Sequence, residues 1–215
     1  MKDYKCFIFD LDGTLLDTSE GILCAVKEVF KRNGLPEYDD EFIKSFIGPP
    51  IEHTFGTLDI DKSKVKGLAE EFRDTYFKNH LYEARIFENI PKLLEKCKTQ
   101  NVYLGVATNK RESYTKELLE KFGLSNLFDV IHGTDEKGVL TKTDIINTCL
   151  SDLNVKPEGA LMIGDAWSDE KGAEGANVDF AAAMYGFGFT EKSVINCVYR
   201  CYDPIELLSF ARSKK

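Results

Sequence analysis

The chain has 215 residues, 43% of them hydrophobic and 30% charged, which is enough apolar material for a packed core and excludes a disordered chain. Its 36 acidic and 28 basic residues give a formal charge of −8, which argues against a nucleic-acid binder relying on phosphate neutralisation and favours a small-molecule partner. No run approaches the ~20 apolar residues of a membrane span, and Met1-Lys2-Asp3-Tyr4-Lys5 lacks a signal-peptide layout, so a soluble cytoplasmic protein with no membrane partner is expected, as monomer or homodimer.

In chain order, Lys5 to Phe9 is a short apolar β-prone run that stops at Asp10 and turns at Gly13, the pattern of a buried strand ending in a functional turn. The stretch from about Asp17 to Arg85 breaks the pattern. It holds three segments with helical spacing, near Ile22 to Lys31, Asp40 to Phe46 and Ser63 to His80, interrupted at Gly48-Pro49-Pro50 and without a convincing strand. Its aromatics Phe42, Phe46, Phe55, Phe72, Tyr76 and Phe77 read as helix packing, and Lys44 and His53 as surface residues. Strand-like runs resume at Val102 to Thr108, Val130 with Ile131, Ala160 to Gly164 and Phe180 to Met184, with helical spacing between them. Ser113 and Thr141 read as helix caps, Gly123 as a helix stop, and Asp203-Pro204 as the start of a last helix. Strand alternating with helix predicts an α/β, Rossmann-like doubly wound parallel sheet with an inserted helical segment.

Two acid pairs follow apolar strands. Asp10 and Asp12 stand one residue apart beyond the first, and Asp165 and Asp169 follow Ala160 to Gly164. An isolated Asp-X-Asp is ordinarily an acidic turn or a helix cap. In a parallel sheet, however, strand ends share one edge, so four carboxylates converge there, and hard oxygen donors without His or Cys suit Mg²⁺. Thr108 and Asn109 end another strand with a hydroxyl, an amide and backbone N–H groups, and Lys142 opens the helix after Thr141 against the local dipole, as expected beside an anion. The six cysteines are scattered and read as reduced thiols; Cys197 and Cys201 alone are close, a poor zinc signature.

FIFDLDGTLLDTSEGI, Ala107-Thr108-Asn109, Lys142 and IGDAWSD, in that order, resemble the four motifs of the haloacid dehalogenase superfamily, in its branch with a helical cap after the first strand. The resemblance covers nearly the whole chain. It implies a hydrolase core at 1–16 and 86–215 and a cap at 17–85. The Ile47 to Pro50 turn and Met184 to Gly188 most resemble the phosphoglycolate phosphatase-like group. On that resemblance Asp10 is the nucleophile, Asp12 the general acid and base, and Thr108, Asn109 and Lys142 hold phosphoryl oxygens. Mg²⁺ is the implied cofactor, bound by Asp10, Asp12 through its backbone carbonyl, Asp165 and Asp169. The implied activity is hydrolysis of a small phosphomonoester. A sugar phosphomutase shares both aspartates, a nucleotide or pyrophosphate phosphohydrolase is a further reading, and a phosphate-binding regulatory module is the non-enzymatic one. Thr143 replaces a proline frequent after the lysine, and Phe87 to Pro91 departs from a frequent Pro-Gly.

Overall fold

A computed structural model describes residues 2–47, 51–136 and 138–211. The Gly48-Pro49-Pro50 turn lies outside them. The core is a six-stranded sheet of β1 (Cys6–Phe9), β4 (Tyr103–Arg111), β5 (Val130–Thr134), β6 (Ala160–Gly164), β7 (Asp179–Ala183) and β8 (Tyr199–Cys201). Its order is β5-β4-β1-β6-β7-β8, and every pair is parallel. The strand order reverses at β1, whose neighbours are β4 and β6, so a crevice opens beyond its carboxyl end.

Both faces of the sheet are covered, and the alternation of side chains shows it. Phe7, Phe9, Leu161 and Ile163 join the larger apolar cluster on one face, whereas Cys6, Ile8, Ala160 and Met162 join a second cluster on the other. Burial on both sides explains the continuous apolar runs. Helix α5 (Ile90–Thr99) belongs to the first face; α7 (Lys142–Leu153) and α8 (Trp167–Gly175) pack on each other and close the second. Helix α6 (Glu112–Lys121) lies beside β4 and β5.

Between β1 and β4 stand two short antiparallel strands, β2 (Leu16–Asp17) and β3 (Arg85–Ile86), pinned by the Arg85–Asp17 ion pair at 2.6 Å. They bracket α1 (Ser19–Arg32), α2 (Asp40–Lys44), α3 (Ile51–Gly56) and α4 (Val65–Thr75). Phe30, Phe46, Phe55 and Phe72 interlock along this segment in edge-to-face and, between Phe30 and Phe55, tilted pairs, with centroids 5.3 to 6.5 Å apart. The helix expected from Ser63 to His80 is three pieces: a 3₁₀ turn at Lys62–Lys64, α4, and a π-helical turn at Tyr76–His80. Such turns reorient the side chains that follow them.

Several local expectations need correction. Ser113 lies inside α6, whose cap position is Arg111. The last element is a 3₁₀ turn at Pro204–Phe210, capped by the Asp203 carboxylate accepting from Ile205 N, rather than an α-helix. Strand β8 and helix α3 were not expected at all. Thr141 does cap α7, in a reciprocal box with Asp144. No helix among the described residues is long and apolar enough to cross a membrane.

Candidate active site

Asp10 leaves β1 with its amide still donating to Ile163 O at 2.9 Å, so the sheet itself aims the residue at the crevice. The chain then folds tightly on Leu11 O, which accepts from the amides of Leu15 and Leu16, while Gly13 adopts φ +81°. A Cβ at Gly13 would lie 2.3 Å from Asp165 Oδ2, so only glycine allows the first acid turn to sit against the second.

Asp165 follows β6 and is fully buried. Its Oδ2 accepts from the amides of Phe187 at 2.8 Å and Gly188 at 3.1 Å. Gly186 packs so closely that a Cβ would lie 2.4 Å from Asp165 Cβ and from Gly13 O. This gives the Met184 to Gly188 segment a concrete role: it cradles one carboxylate. Asp169, in the first turn of α8, accepts at Oδ2 from Ala166 N at 3.0 Å.

Lys142 Nζ lies 2.7 Å from Asp10 Oδ1, 2.7 Å from Asp169 Oδ1 and 3.0 Å from Ala107 O. Burial alone would lower this lysine, but the two carboxylates outweigh it and hold the ammonium charged. Burial pushes Asp10 up to about 7; the Lys142 ammonium opposes this, and the charges of Asp169 and Asp12 add to it. Asp165 is raised in the same direction by burial and by Asp169 and Asp10. Oxygens of Asp10, Asp165 and Asp169 lie within 4.8 Å of one another, and Lys142 pairs with two of the three acids, Asp10 and Asp169. An all-carboxylate donor set with surplus negative charge, closed off from bulk water, fits a small hard divalent cation such as Mg²⁺.

Asp12 points elsewhere. Its carboxylate receives both oxygens' contacts from Lys110 Nζ at 2.8 Å and accepts from Thr18 Oγ1 at 2.8 Å. Lys110 is buried and in turn meets Tyr76, its Nζ 3.2 Å from the hydroxyl and 4.5 Å from the ring centroid. Burial would lower Lys110, but Asp12 and Tyr76 hold it raised and charged. The side chain of Asp12 therefore stands apart from the trio.

A cavity of about 130 Å³ opens over these groups. Asp10, Asp12, Thr108, Asn109 and Lys110 form its sheet side, and Phe46, Ile51, Glu52, Phe72, Arg73 and Tyr76 its helical side, with Arg111 and Tyr114 from the end of β4 and the start of α6. Lys142, Asp165 and Asp169 lie behind Asp10 rather than in the lining. Three of the aromatics expected only to pack, Phe46, Phe72 and Tyr76, thus also face the cavity. Lys44 and His53 are exposed as expected, Lys44 paired with Glu41, and Trp167 is half exposed against Phe189. His132 pairs with Asp152 and Glu112 away from the site.

Sequence reasoning missed Lys110, Arg111, Arg73 and Tyr76. The signal for the first two was the Lys110-Arg111 pair directly after Thr108-Asn109, where β4 breaks register with β5 between Ala107 and Arg111. Such an irregularity re-aims side chains at a strand end.

Residues 7–183 match the model of the haloacid dehalogenase-like hydrolase family. The chain is 35% identical over 187 residues to a 5'-nucleotidase of Pseudomonas aeruginosa, covering 86% of this chain and 85% of that protein. It is 32% identical over 185 residues to a phosphoglycolate phosphatase of Aquifex aeolicus, covering 85% and 86%. Among solved structures, a haloacid dehalogenase-like hydrolase of Streptococcus pneumoniae superposes with a TM-score of 0.88 at 31% identity, covering 96% of this chain and 98% of that one. With that model matching most of the chain, this chain belongs to the haloacid dehalogenase-like hydrolase family.

Proposed function

We propose that the protein is a Mg²⁺-dependent phosphatase that hydrolyses a small phosphomonoester, of the phosphoglycolate class, through an aspartyl-phosphate on Asp10. The observation that carries this reading is the placement of Asp10 and Asp12 side by side on one cavity in different settings. Asp10 is backed by Lys142 and the other acids, and Asp12 is held by Lys110 and Thr18.

In the first step an Asp10 oxygen attacks phosphorus and the bond to the leaving oxygen breaks, with Asp12 delivering its proton to that oxygen. In the second step Asp12 takes a proton from a water as the water attacks phosphorus, and the Asp10–phosphorus bond breaks to release inorganic phosphate. The Thr108 hydroxyl, the Asn109 backbone and the Lys142 ammonium hold phosphoryl oxygens in both steps. Asp10, Asp165, Asp169 and the backbone carbonyl of Asp12 would hold Mg²⁺, which supplies neutralisation of the phosphoryl charge. Lys110 positions Asp12 and keeps its carboxylate from turning toward the trio.

Residues 17–85 act as the cap over a core of 1–16 and 86–215, and the cap chooses the leaving group. At about 130 Å³ the cavity is small, which favours a small leaving group. Arg73 and Arg111 on its wall favour an anionic one. The relative that acts on phosphoglycolate supports the same class.

The test is phosphate release with Mg²⁺ across 2-phosphoglycolate, nucleoside 5'-monophosphates, pyrophosphate and hexose phosphates, with Asp10→Asn as blank. One preferred small anionic ester, silent in the blank, is the expected outcome. Conversion of β-glucose 1-phosphate to its 6-phosphate without phosphate release would replace the phosphatase with a mutase. Preference for a nucleotide would keep the chemistry and overturn the leaving-group class.

A further inference from the structure

The helical segment carries a second group of metal-ligating side chains, remote in character from the acidic trio. Cys24 and Glu28 stand one turn apart on α1, His80 ends the π-helical turn, and Glu83 follows it toward β3. One ligand atom each from Cys24, His80 and Glu83 lie within 4.8 Å of one another. His80 Nδ1 is 2.9 Å from Glu83 Oε2, and its Nε2 faces Glu28 Oε1 at 3.4 Å. That Nε2 is buried and, among the described residues, makes no hydrogen bond, because the Glu28 carboxylate is too poorly aligned to receive one. All four side chains are partly exposed, so an ion reaches them from solvent.

The frame that holds these groups is rigid. Gly21 N donates to Glu83 O at 3.1 Å, and a Cβ at Gly21 would lie 2.3 Å from His80 O, so the first turn of α1 is locked against the 80–83 segment. These backbone contacts act together with the side-chain contacts of His80 to Glu83 and Glu28 and of Cys24 to Glu83.

The donor chemistry separates this cluster from the trio. A thiolate and an imidazole are poor partners for Mg²⁺, whereas one sulfur, one nitrogen and one carboxylate oxygen, with water as a fourth ligand, match the borderline-soft, tetrahedral preference of Zn²⁺. We propose that Cys24, His80 and Glu83 form a zinc-binding site, its fourth position taken by solvent, that ties α1 to the segment returning to β3, with Glu28 outside it on the other ring nitrogen of His80. On binding, the Cys24 thiol loses its proton to solvent and a sulfur–zinc bond replaces the contact with Glu83, while His80 binds as the neutral imidazole. The β2-to-α1 and 80-to-β3 connections are the two crossings between helical segment and sheet, so an ion here stiffens the joint between them.

Cobalt(II) is the probe, added to the whole protein in excess Mg²⁺, because a thiolate ligand gives a near-ultraviolet charge-transfer band that an all-carboxylate site lacks. The expected result is a band saturating at one equivalent, abolished in Cys24→Ser, weakened more than about tenfold in affinity in His80→Gln, and unchanged in Cys197→Ser. Circular dichroism and the metal-free melting temperature confirm that Cys24→Ser folds. Zn²⁺ then raises the melting temperature of the unaltered protein and not of Cys24→Ser. A missing band, a band that survives Cys24→Ser, or an equal zinc response in both proteins would reduce the cluster to a histidine packed between two carboxylates and overturn the proposal.

Discussion

The two sides of the cavity are built on opposite plans. On the sheet side, Asp10 and Thr108, with Asp165 behind them, lie within a residue or two of a strand's apolar run, and backbone hydrogen bonds set the two acids: Asp10 N to Ile163 O, and Phe187 N and Gly188 N to Asp165. On the helical side, Phe46, Glu52, Arg73 and Tyr76 come from separate helices and turns and are held chiefly by one another, through ring stacking and ion pairs. A ladder fixes a side chain to a fraction of an ångström, whereas packed helices shift and repack at modest cost. Chemistry therefore sits naturally on the rigid wall and substrate choice on the adaptable one.

The largest test of that division removes the nucleophile. Asp10→Asn is nearly isosteric and is expected to lower kcat/KM by at least ~10⁴-fold on every phosphoester, generic or preferred. Steady-state phosphate release checks it, and substantial activity in a clean preparation would sink the aspartyl-phosphate route. Next in size, Lys110→Met keeps the stem of the side chain but frees the Asp12 carboxylate from its ammonium. A loss of about 10²-fold in kcat, with a displaced pH–rate profile and similar KM, is expected for both generic and preferred substrates. A pure KM effect would make Lys110 a substrate-binding residue instead of a positioning one.

The acidic trio gives a third test, in stability. Folded Asp10 keeps its proton up to about pH 7, against an ordinary value of 3.8, and Asp165 is raised in the same sense. Between those limits folded Asp10 binds more protons than it does in the unfolded chain, and Asp165 acts in the same sense, so stability of the metal-free protein falls as pH rises from about 4 through 7. Mg²⁺ should reverse the fall by neutralising the ionised acids. Melting temperatures in chelator and in Mg²⁺ across pH 5 to 8 check this, and parallel curves would show that no ion binds the trio.

The same contrast explains what was legible in the sequence. Asp10, Asp12, Asp165 and Asp169 could be placed because each pair follows an unmistakable buried strand, and parallel strand ends share an edge by topology. Lys142 could be placed by its helix-start position, but its partners, Asp10 and Asp169, depend on how α7 packs on α8, which no local pattern carries. Lys110 escaped notice because β4 continues past Thr108 through a register break that depends on β5. In the helical segment, periodicity showed that Phe46, Phe72 and Tyr76 point inward. It did not show that the inner face is shared between core and cavity, nor that α4 ends in a π-helical turn that brings Tyr76 to Lys110. The two-residue strands β2 and β3 and the three-residue β8 were too short to register as strands, since only pairing with a neighbour defines them.

The smallest expected effect lies on the helical wall and discriminates best. Arg73 is mostly buried, bonded to Glu52 and Glu70, and lines the cavity beside Glu52. Arg73→Ala should raise KM for an anionic preferred substrate about tenfold, the size of one hydrogen bond to a charged group, and leave hydrolysis of a neutral-tailed generic phosphoester nearly unchanged. Two causes would give that result: a lost guanidinium contact to the leaving group, or an uncompensated Glu52 carboxylate repelling it. The double variant Arg73→Ala with Glu52→Gln separates them. If the cost persists, Arg73 touches the substrate. If KM returns toward the unaltered value, the guanidinium serves only to neutralise Glu52. Equal losses on both substrates would instead mean that Arg73 supports the geometry of the sheet side, and the division between the two walls would fail at this position.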